Sequence, residues 1–179
     1  SGEEAPSSFV IELPMGKGVV GHVAETGQSL LTANARLLPF FDDSHRKFAA
    51  DLTAWADKEI SPLAHADIST HDALDSAFRE IIQKLGDAGW LKYAVPKAYG
   101  GALEKLDVRS IALARSILGY HTGLADFAMA MQGLGSGSIT LFGSEELKQK
   151  YLPEVASGKR LAAFALSEPT CGSDVAAMT

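Results

Sequence analysis

The sequence predicts a mainly α protein: an up-and-down helical bundle followed by the first strand of a truncated β-domain. Apolar residues recur at helical spacing across residues 38–158, and capping residues, glycines and prolines divide that region into five helices. After Gly158 the pattern changes to a continuous apolar run, which is typical of a buried strand. These changes set three expected segments: 1–37 as a leader arm or hairpin, 38–158 as the helical domain and 159–179 as the start of the β-domain.

Composition favours a soluble globular protein and excludes several function classes. Of the 179 residues, 46% are hydrophobic and 21% are charged, which is ordinary for a chain with a real core. The net charge of -6, from 16 Lys and Arg against 22 Asp and Glu, argues against nucleic acid as a partner. A single cysteine, Cys171, excludes an intrachain disulfide and favours a reducing compartment, either the cytoplasm or the mitochondrial matrix. Charged residues interrupt the longest apolar region, so no membrane span is expected.

The first two helices have recognisable ends and apolar faces. Asp42 or Asp43 is the predicted cap of the first helix, and Pro62 ends it because proline lacks the amide proton that a helix interior needs. The second helix is expected to end near Gly86 or Gly89. The apolar faces are formed by Phe48, Leu52, Trp55 and Ile60 in the first helix and by Leu74, Phe78, Ile81, Ile82 and Leu85 in the second.

Three further helices complete the predicted bundle. The third covers roughly Leu106–Leu118, and the fifth starts at Ser144 and ends around Gly158. Between them, Leu124–Phe142 is unusually rich in small residues. Glycine costs about 1 kcal/mol relative to alanine inside a helix, so several glycines together need a reason. Close approach of the backbone to another helix or to a ligand supplies one.

The segment after the bundle carries a dense set of hydrogen-bonding groups. Leu161–Leu166 is the predicted strand, and Ser167–Asp174 is the loop that leaves it. Ser167 and Thr170 offer hydroxyls, and Gly172 lets the backbone approach a ligand closely. On these residues alone two interpretations stay open. One is a ligand-binding loop; the other is an ordinary exit from a strand, with polar side chains bonded to the local backbone.

Residues 151–175 closely resemble the signature region of the acyl-CoA dehydrogenase family. In that family a helix that ends in Tyr-Leu-Pro is followed by a glycine turn, a strand and a loop of the pattern Thr/Ser-Glu-Pro-x-x-Gly-Ser-Asp. The loop in this chain reads Ser-Glu-Pro-Thr-Cys-Gly-Ser-Asp. Three upstream segments resemble the family's N-terminal helical domain and stand in the same order: Leu85–Leu91, Val95–Gly101 and Phe142–Lys148. The resemblance covers about residues 38–179.

The resemblance implies that the loop contacts FAD. By position, Ser167 lies near the pyrimidine edge of the isoalloxazine ring, and Ser173 reaches the flavin or the CoA part of a thioester substrate. The implied cofactor contacts are Phe164, Ala165, Leu166, Ser167, Gly172 and Ser173. The chain departs from the family pattern in two places. Ser167 replaces the usual threonine, which keeps the hydroxyl, and Thr170 with Cys171 replaces a smaller pair, which makes the loop bulkier.

The same resemblance implies an acyl-CoA substrate and a reaction of fatty acid metabolism. The family removes an α-proton and a β-hydride from the acyl-CoA, which gives a trans-enoyl-CoA and reduced FAD. The small-residue helix is then expected to form part of the acyl pocket, although close helix packing explains its composition equally well. The candidate substrate contacts are Phe127, Ala130, Met131 and Leu134. The family's catalytic Glu is expected beyond Thr179, so no catalytic residue is assigned and this fragment alone is expected to be inactive.

Partners and rival functions follow from the resemblance as well. The full-length protein is expected to be a homotetrameric flavoprotein oxidoreductase that passes electrons to an electron-transferring flavoprotein. Two alternatives stay open: a flavin oxidase or monooxygenase of the same fold, and a non-catalytic helical subunit of a heteromeric flavoprotein. No metal site is expected, because the polar cluster in the predicted loop between the first and second helices matches no fixed ligand spacing. That cluster consists of His65, Asp67, His71 and Asp72.

Overall fold

The computed structural model describes residues 41–178, and within them the predicted helical bundle is confirmed. Its five α-helices are α1 (Asp43–Glu59), α2 (His71–Asp87), α3 (Val108–His121), α4 (Gly123–Phe142) and α5 (Glu145–Ala156). Short 3-10 turns at Ser61–Leu63, Trp90–Ala94, Lys97–Tyr99 and Val175–Ala177 connect or follow them. The leader arm expected at 1–37 lies outside the described residues. None of the helices in the described part is both long and apolar enough to cross a membrane.

Helix α1 begins and ends where the sequence predicts. The Asp42 side chain caps it by accepting hydrogen bonds from the Ser44 amide at 2.9 Å and the His45 amide at 3.2 Å. The helix ends at Glu59, shortly before Pro62. Its face toward the rest of the bundle is formed by His45, Phe48, Ala49, Leu52 and Ala56, all of which are buried. Burial of this stripe, rather than intrinsic propensity, supplies most of the helix's stability.

Buried His45 ties the start of α1 to the start of α3. Its Nδ1 lies 2.8 Å from Asp42 Oδ1, and its Nε2 lies 2.9 Å from Asp107 Oδ2. Asp107 is itself the cap of α3, since its carboxylate accepts from the Arg109 amide at 2.9 Å. The Arg109 guanidinium beside Asp107 holds the pKa of that carboxyl well below its usual range. The sequence predicted this helix at about residues 106–118. In the structure Asp107 caps it, so it begins at Val108, and it continues to His121.

Helices α3 and α4 are joined by the single residue Thr122 and pack against each other, so the chain folds back at that point. Thr122 is extended, and its hydroxyl caps α4 by accepting from the Leu124 amide at 3.4 Å. Across the turn, Arg115 makes a two-pronged ion pair with Asp126, at 2.8 and 3.1 Å. A planar guanidinium suits this two-point geometry better than an ammonium group does.

Helix α4 is the centre of the bundle, because it packs against α2, α3 and α5. Its inner face is small and mostly apolar, and it is formed by Ala125, Ala128, Met129, Gln132 and Ser136. Helix α5 starts after the Ser144 cap, as predicted, and the chain leaves it through Gly158, whose φ of 73° is left-handed. An L-residue with a side chain adopts that conformation only at a cost, which explains the glycine there.

The strand expected at residues 161–166 has no sheet partner within the described part of the chain. Residues 161–167 have no regular secondary structure, and the nearest ladder-like contact is an isolated bridge between Glu168 and Cys171. An apolar run adopts strand pairing only when a second strand takes up its backbone donors and acceptors. Among residues 41–178 no such strand exists, so the run leaves the bundle unpaired. We refer to residues 161–173 as the exit segment.

Candidate functional site

The side chain of Gln132 on α4 holds the beginning of the exit segment. Gln132 is 1% exposed, and its Nε2 donates to the Val155 carbonyl and to the Arg160 carbonyl, each at 3.0 Å. Its Oε1 accepts from the Ala162 amide at 2.7 Å. One buried amide therefore connects α4, the end of α5 and the first residues of the exit segment. Buried polar groups fully satisfied in this way fix a single local arrangement.

Gly135, one turn further along α4, lets the exit segment cross the helix in close contact. A Cβ added at Gly135 would lie 2.6 Å from the Ala163 nitrogen and 2.8 Å from the Ala163 oxygen. Both distances are far below ordinary van der Waals contact. A glycine is therefore required here by close backbone approach, but the approaching backbone belongs to the exit segment and not to another helix or a ligand, the two partners expected from the sequence. By contrast, a Cβ at Gly137 would meet nothing within 4 Å.

Beyond the crossing, four of the residues expected to contact a cofactor form an exposed run without regular secondary structure. Phe164 is 47% exposed and Leu166 is 36% exposed, and Ala165 and Ser167 are also exposed. None of the backbone amides of residues 163–167 has a hydrogen-bond partner among residues 41–178. The run therefore presents free backbone donors and two large apolar side chains on the outside of the bundle.

The loop then doubles back and brings two of the predicted residues together. The Glu168 amide donates to the Cys171 carbonyl at 2.8 Å, and the Cys171 amide donates to the Glu168 carbonyl at 3.3 Å. This turn places Ser167 beside Gly172: a Cβ built on Gly172 would lie 3.9 Å from Ser167 Oγ, and no nearer atom would meet it. Ser173 follows and is exposed. The six residues expected at the cofactor thus share one surface strip of the exit segment.

The four residues expected at the acyl group lie together in one groove between α3 and α4. The groove has a volume of about 480 Å³, within the range of small-molecule sites. Its α4 wall is formed by Phe127, Ala130, Met131, Gly133 and Leu134, and its other wall by Leu106, Ile111 and Arg115. Phe127 and Leu134 are 53% and 52% exposed, so half of each apolar side chain faces solvent. An exposed apolar groove of this kind is typical of a binding surface.

Sequence reasoning missed three residues that shape this region. Gln132 was recognisable as a lone amide inside an apolar helix, a position where a polar group needs internal partners. Gly135 was noticed only as one of several glycines, because nothing local distinguishes it from Gly137. Arg115 lines the groove, and its pairing with Asp126 depends on the turn between α3 and α4, so the linear sequence gives no signal for it.

Comparison with known proteins gives a consistent result. The model of the acyl-CoA dehydrogenase N-terminal domain matches residues 42–159. A probable acyl-CoA dehydrogenase of Bacillus subtilis (strain 168) is 37% identical over 134 residues, which are 75% of this chain and 22% of that protein. The mitochondrial very long-chain specific acyl-CoA dehydrogenase of Rattus norvegicus is 38% identical over 113 residues, which are 63% of this chain and 17% of that protein.

A solved structure shares the fold as well as the sequence. The crystal structure of an acyl-CoA dehydrogenase complexed with FAD, from Bacillus anthracis, superposes with a TM-score of 0.62 at 34% identity, over 79% of this chain and 23% of that one. The chain spans about a fifth of the length of the two curated relatives above. All five helices fall within the residues that the domain model matches, which are more than half of the chain. The chain belongs to the acyl-CoA dehydrogenase family.

Proposed function

We propose that this chain forms one wall of the active site of an FAD-dependent acyl-CoA dehydrogenase. The observation that carries the proposal is that α4 supports both candidate sites at once. Gln132 and Gly135 position the exit segment on one side of the helix. Met131 and Leu134, on neighbouring positions of the same helix, line the groove expected to hold the acyl group. A reaction between a cofactor and an acyl chain needs the two held next to each other, which a shared helix achieves.

The residues of the exit segment fit an isoalloxazine ring chemically. The pyrimidine edge of that ring presents carbonyl oxygens and an acceptor nitrogen, which require N–H and O–H donors. Residues 163–167 offer backbone amides that have no partner among the described residues, and Ser167 adds a hydroxyl. Gly172 leaves open space where a side chain would stand, because a Cβ there would meet only Ser167 Oγ. Hydrogen-bond donors and open space therefore lie together on the exit segment, and a flat ring that is rich in acceptors, such as isoalloxazine, needs both.

When bound, FAD supplies the acceptor for the β-hydride of the acyl-CoA, while loss of the α-proton to a carboxylate base completes the formation of a trans-enoyl-CoA. In this proposal, Ser167 and the neighbouring amides donate hydrogen bonds where negative charge develops. Preorganised donors aimed at developing charge are among the largest contributions to catalysis. Phe164 and Leu166 exclude water from one side of the strip. None of residues 41–178 is assigned as the base.

The groove between α3 and α4 binds the acyl chain in this proposal. Phe127, Met131 and Leu134 supply apolar surface that loses its contact with water when a chain is bound. Ala130 keeps the groove open, since a larger side chain at that position would fill it. Ser173, at the far end of the exit segment, is proposed to reach the flavin or the CoA part of the thioester.

The proposal extends to the whole protein through family membership. The protein would act as a homotetramer in the cytoplasm or the mitochondrial matrix and would pass electrons to an electron-transferring flavoprotein. These features rest on the family and on none of the contacts described above. The fold-level alternatives, an oxidase and a non-catalytic subunit, have no observation in this chain that favours them.

The proposal is tested by replacing Gly172 with alanine in the purified full-length protein. Apart from its chain neighbours, no atom of residues 41–178 lies closer than 3.9 Å to the added Cβ, so folding of the described part should be unaffected. If the flavin lies against this glycine, the extra carbon occupies its place, and we expect FAD affinity to fall about tenfold or more. Gly137→Ala is the matched control, because its Cβ meets no atom of residues 41–178 within 4 Å and Gly137 lies outside the strip.

The measurement is the amount of FAD retained after gel filtration, together with the dissociation constant from flavin fluorescence. Loss of FAD from Gly172→Ala, with full retention in Gly137→Ala, supports the proposal. Equal retention in both variants, or no flavin in the unsubstituted protein after reconstitution with FAD, contradicts it.

A further inference from the structure

A small polar groove lies between α2 and the turn that leads from α5 into the exit segment. Its volume is about 210 Å³, the space of about seven water molecules. The two lining residues that carry a charge are both cations, one on α2 and one in the turn. The lining is formed by Arg79, Ile82, Gln83, Gly158, Lys159 and Leu161. The groove therefore shares no lining residue with the groove between α3 and α4.

Both cations keep hydrogen-bonding capacity that the described part of the chain does not use. The Arg79 Nε donates to Asp75 Oδ2 at 2.8 Å, while the terminal nitrogens of the guanidinium make no hydrogen bond to residues 41–178. The Lys159 ammonium group has neither a hydrogen bond nor an ion pair within the same residues. The next cation along the chain differs, because Arg160 is paired with Glu154. The groove is thus lined by positive charge that no neighbouring carboxylate fully balances.

The backbone at the same place also has unused donors. The amides of Lys159 and Leu161 make no hydrogen bond within residues 41–178, whereas the Arg160 amide between them donates to a carbonyl of α5 at 3.1 Å. The one other polar side chain of the lining, Gln83, donates its Nε2 to Asp87 at 2.8 Å. No carboxylate is among the lining residues. A groove that offers donors and positive charge without an acidic partner is suited to an anion.

Backbone contact between α2 and the turn holds the groove in shape. A Cβ added at Gly158 would lie 2.9 Å from the Ile82 oxygen, and one added at Gly86 would overlap the Ser157 oxygen. The two glycines let the backbones touch, so the turn that carries Lys159 has a fixed position relative to α2. A site that is already formed loses less entropy on binding than one that must first be ordered.

We propose that this groove binds a phosphate group, either inorganic phosphate or the phosphate of a small soluble ester. A phosphate presents several acceptor oxygens on one compact anion, so it can accept from a guanidinium, an ammonium group and backbone amides at the same time. The volume holds a phosphate and a few waters, and the rest of an ester would extend into solvent. The inference goes beyond the proposed function and does not depend on it.

A phosphate in this groove adds a second attachment for the start of the exit segment. Leu161 is the first residue of that segment, and Gln132 already holds the Arg160 carbonyl and the Ala162 amide on either side of it. Binding should therefore slow hydrogen exchange in the exit segment, because local opening then has to break both attachments. Through this groove a soluble phosphate compound regulates the order of the segment that leads to the flavin strip.

The test measures the affinity of the FAD-loaded full-length protein for inorganic phosphate by isothermal titration calorimetry. The ionic strength is held constant, because salt screens exposed charges. Lys159→Gln and Arg79→Gln should each weaken binding about tenfold, the loss expected for a hydrogen bond to a charged group. Lys105→Gln is the matched control: Lys105 is exposed, has no partner among residues 41–178 and does not line the groove.

A variant that gains affinity guards against misfolding as an explanation. Asp75→Asn removes the carboxylate that competes for the Arg79 guanidinium, so phosphate should bind about threefold more tightly. Equal affinity in Lys159→Gln, Arg79→Gln and the control, or no saturable phosphate binding to the unsubstituted protein, would overturn the proposal. Weaker binding to Asp75→Asn would count against it as well.

Two further comparisons identify the source of the phosphate and its effect. Adenosine 5′-monophosphate binds more tightly than inorganic phosphate if an ester is the ligand, and no more tightly if free phosphate is. Adenosine that binds as well as its monophosphate would show that the phosphate is not recognised. Phosphate should slow exchange in residues 161–173 of the unsubstituted protein and not in Lys159→Gln; equal exchange with and without phosphate would refute the link to the exit segment. None of these readouts needs turnover, so a protein that oxidises no acyl-CoA would leave the inference standing.

Discussion

Replacing Gln132 by leucine removes the three hydrogen bonds that link α4 to Val155 on α5, to Arg160 and to Ala162 of the exit segment, while keeping a side chain of similar size. The Val155 carbonyl keeps a second donor, the Gly158 amide at 3.1 Å. The Arg160 carbonyl and the Ala162 amide lose the partner described here. A buried polar group left without a partner costs about 1–3 kcal/mol. Both of these bonds are only partly buried, so each is expected in the lower half of that range, and the free energy of unfolding should fall by about 2–4 kcal/mol in total.

Urea unfolding of the purified protein, followed by far-ultraviolet circular dichroism, measures this loss. Hydrogen exchange at the Ala162 amide should also become faster, because the bond that protects this amide is removed. Gln149→Leu is the matched control: Gln149 is exposed on α5, and within residues 41–178 its side chain bonds only to Glu145, at 3.0 Å. It should change the free energy of unfolding by no more than about 0.5 kcal/mol. If Gln132→Leu changes the free energy of unfolding as little as the control and leaves exchange at Ala162 unaltered, the Gln132 side chain does not hold the exit segment.

Two further changes test the crossing and the acid response. Gly135→Ala places a Cβ 2.6 Å from the Ala163 nitrogen, so the melting temperature should fall. In Gly137→Ala the added Cβ meets no atom of residues 41–178 within 4 Å, so the free energy of unfolding should rise by about 0.5–1 kcal/mol through helix propensity. Equal melting temperatures for the two variants would refute the close approach of Ala163 to Gly135. The folded protein holds the pKa values of Asp42 and Asp107 below their usual value, so ionisation of these carboxyls stabilises the fold. This stabilisation is complete above about pH 4 and is lost as the pH falls through the folded pKa. The unsubstituted protein should therefore have a lower urea midpoint at about pH 3 than at about pH 6, and Asp107→Asn should make that fall smaller; an equal fall in both proteins would show that this carboxyl does not contribute to stability.

Local signals account for the helices that the sequence predicted well. Asp42 and Ser144 were recognisable as caps because a short polar side chain satisfies amides only two or three residues away. Pro62 was recognisable as a helix end because proline disrupts the helical turn in which it stands. Helix α3 was placed two residues early because Asp107 is also bonded to His45, a residue 62 positions away in the chain. Features set by neighbouring residues were predictable, and those set by distant ones were not.

The candidate site likewise contains residues that the sequence predicted and residues that it could not predict. The groove residues Phe127 and Leu134 were predicted from the family resemblance, and the structure brings them together between α3 and α4. The single glycine that the crossing requires, Gly135, could not be distinguished from its neighbours, because the clashing atoms belong to Ala163. The apolar run at 161–166 has the composition of a strand, but pairing depends on a second strand, which no local pattern supplies. The cofactor contacts on the exit segment stay a prediction.

The most direct test of the central claim is anaerobic addition of acyl-CoA to the FAD-loaded full-length protein, with the flavin absorption spectrum recorded. The claim is that the exit segment and the groove on α4 hold a flavin and an acyl chain side by side. We expect the long-wavelength band of oxidised FAD to bleach on addition of a saturated acyl-CoA and to stay unchanged with free CoA. Bleaching should be lost together with FAD binding in Gly172→Ala. A protein that binds FAD and acyl-CoA but shows no bleaching with any chain length would contradict the account.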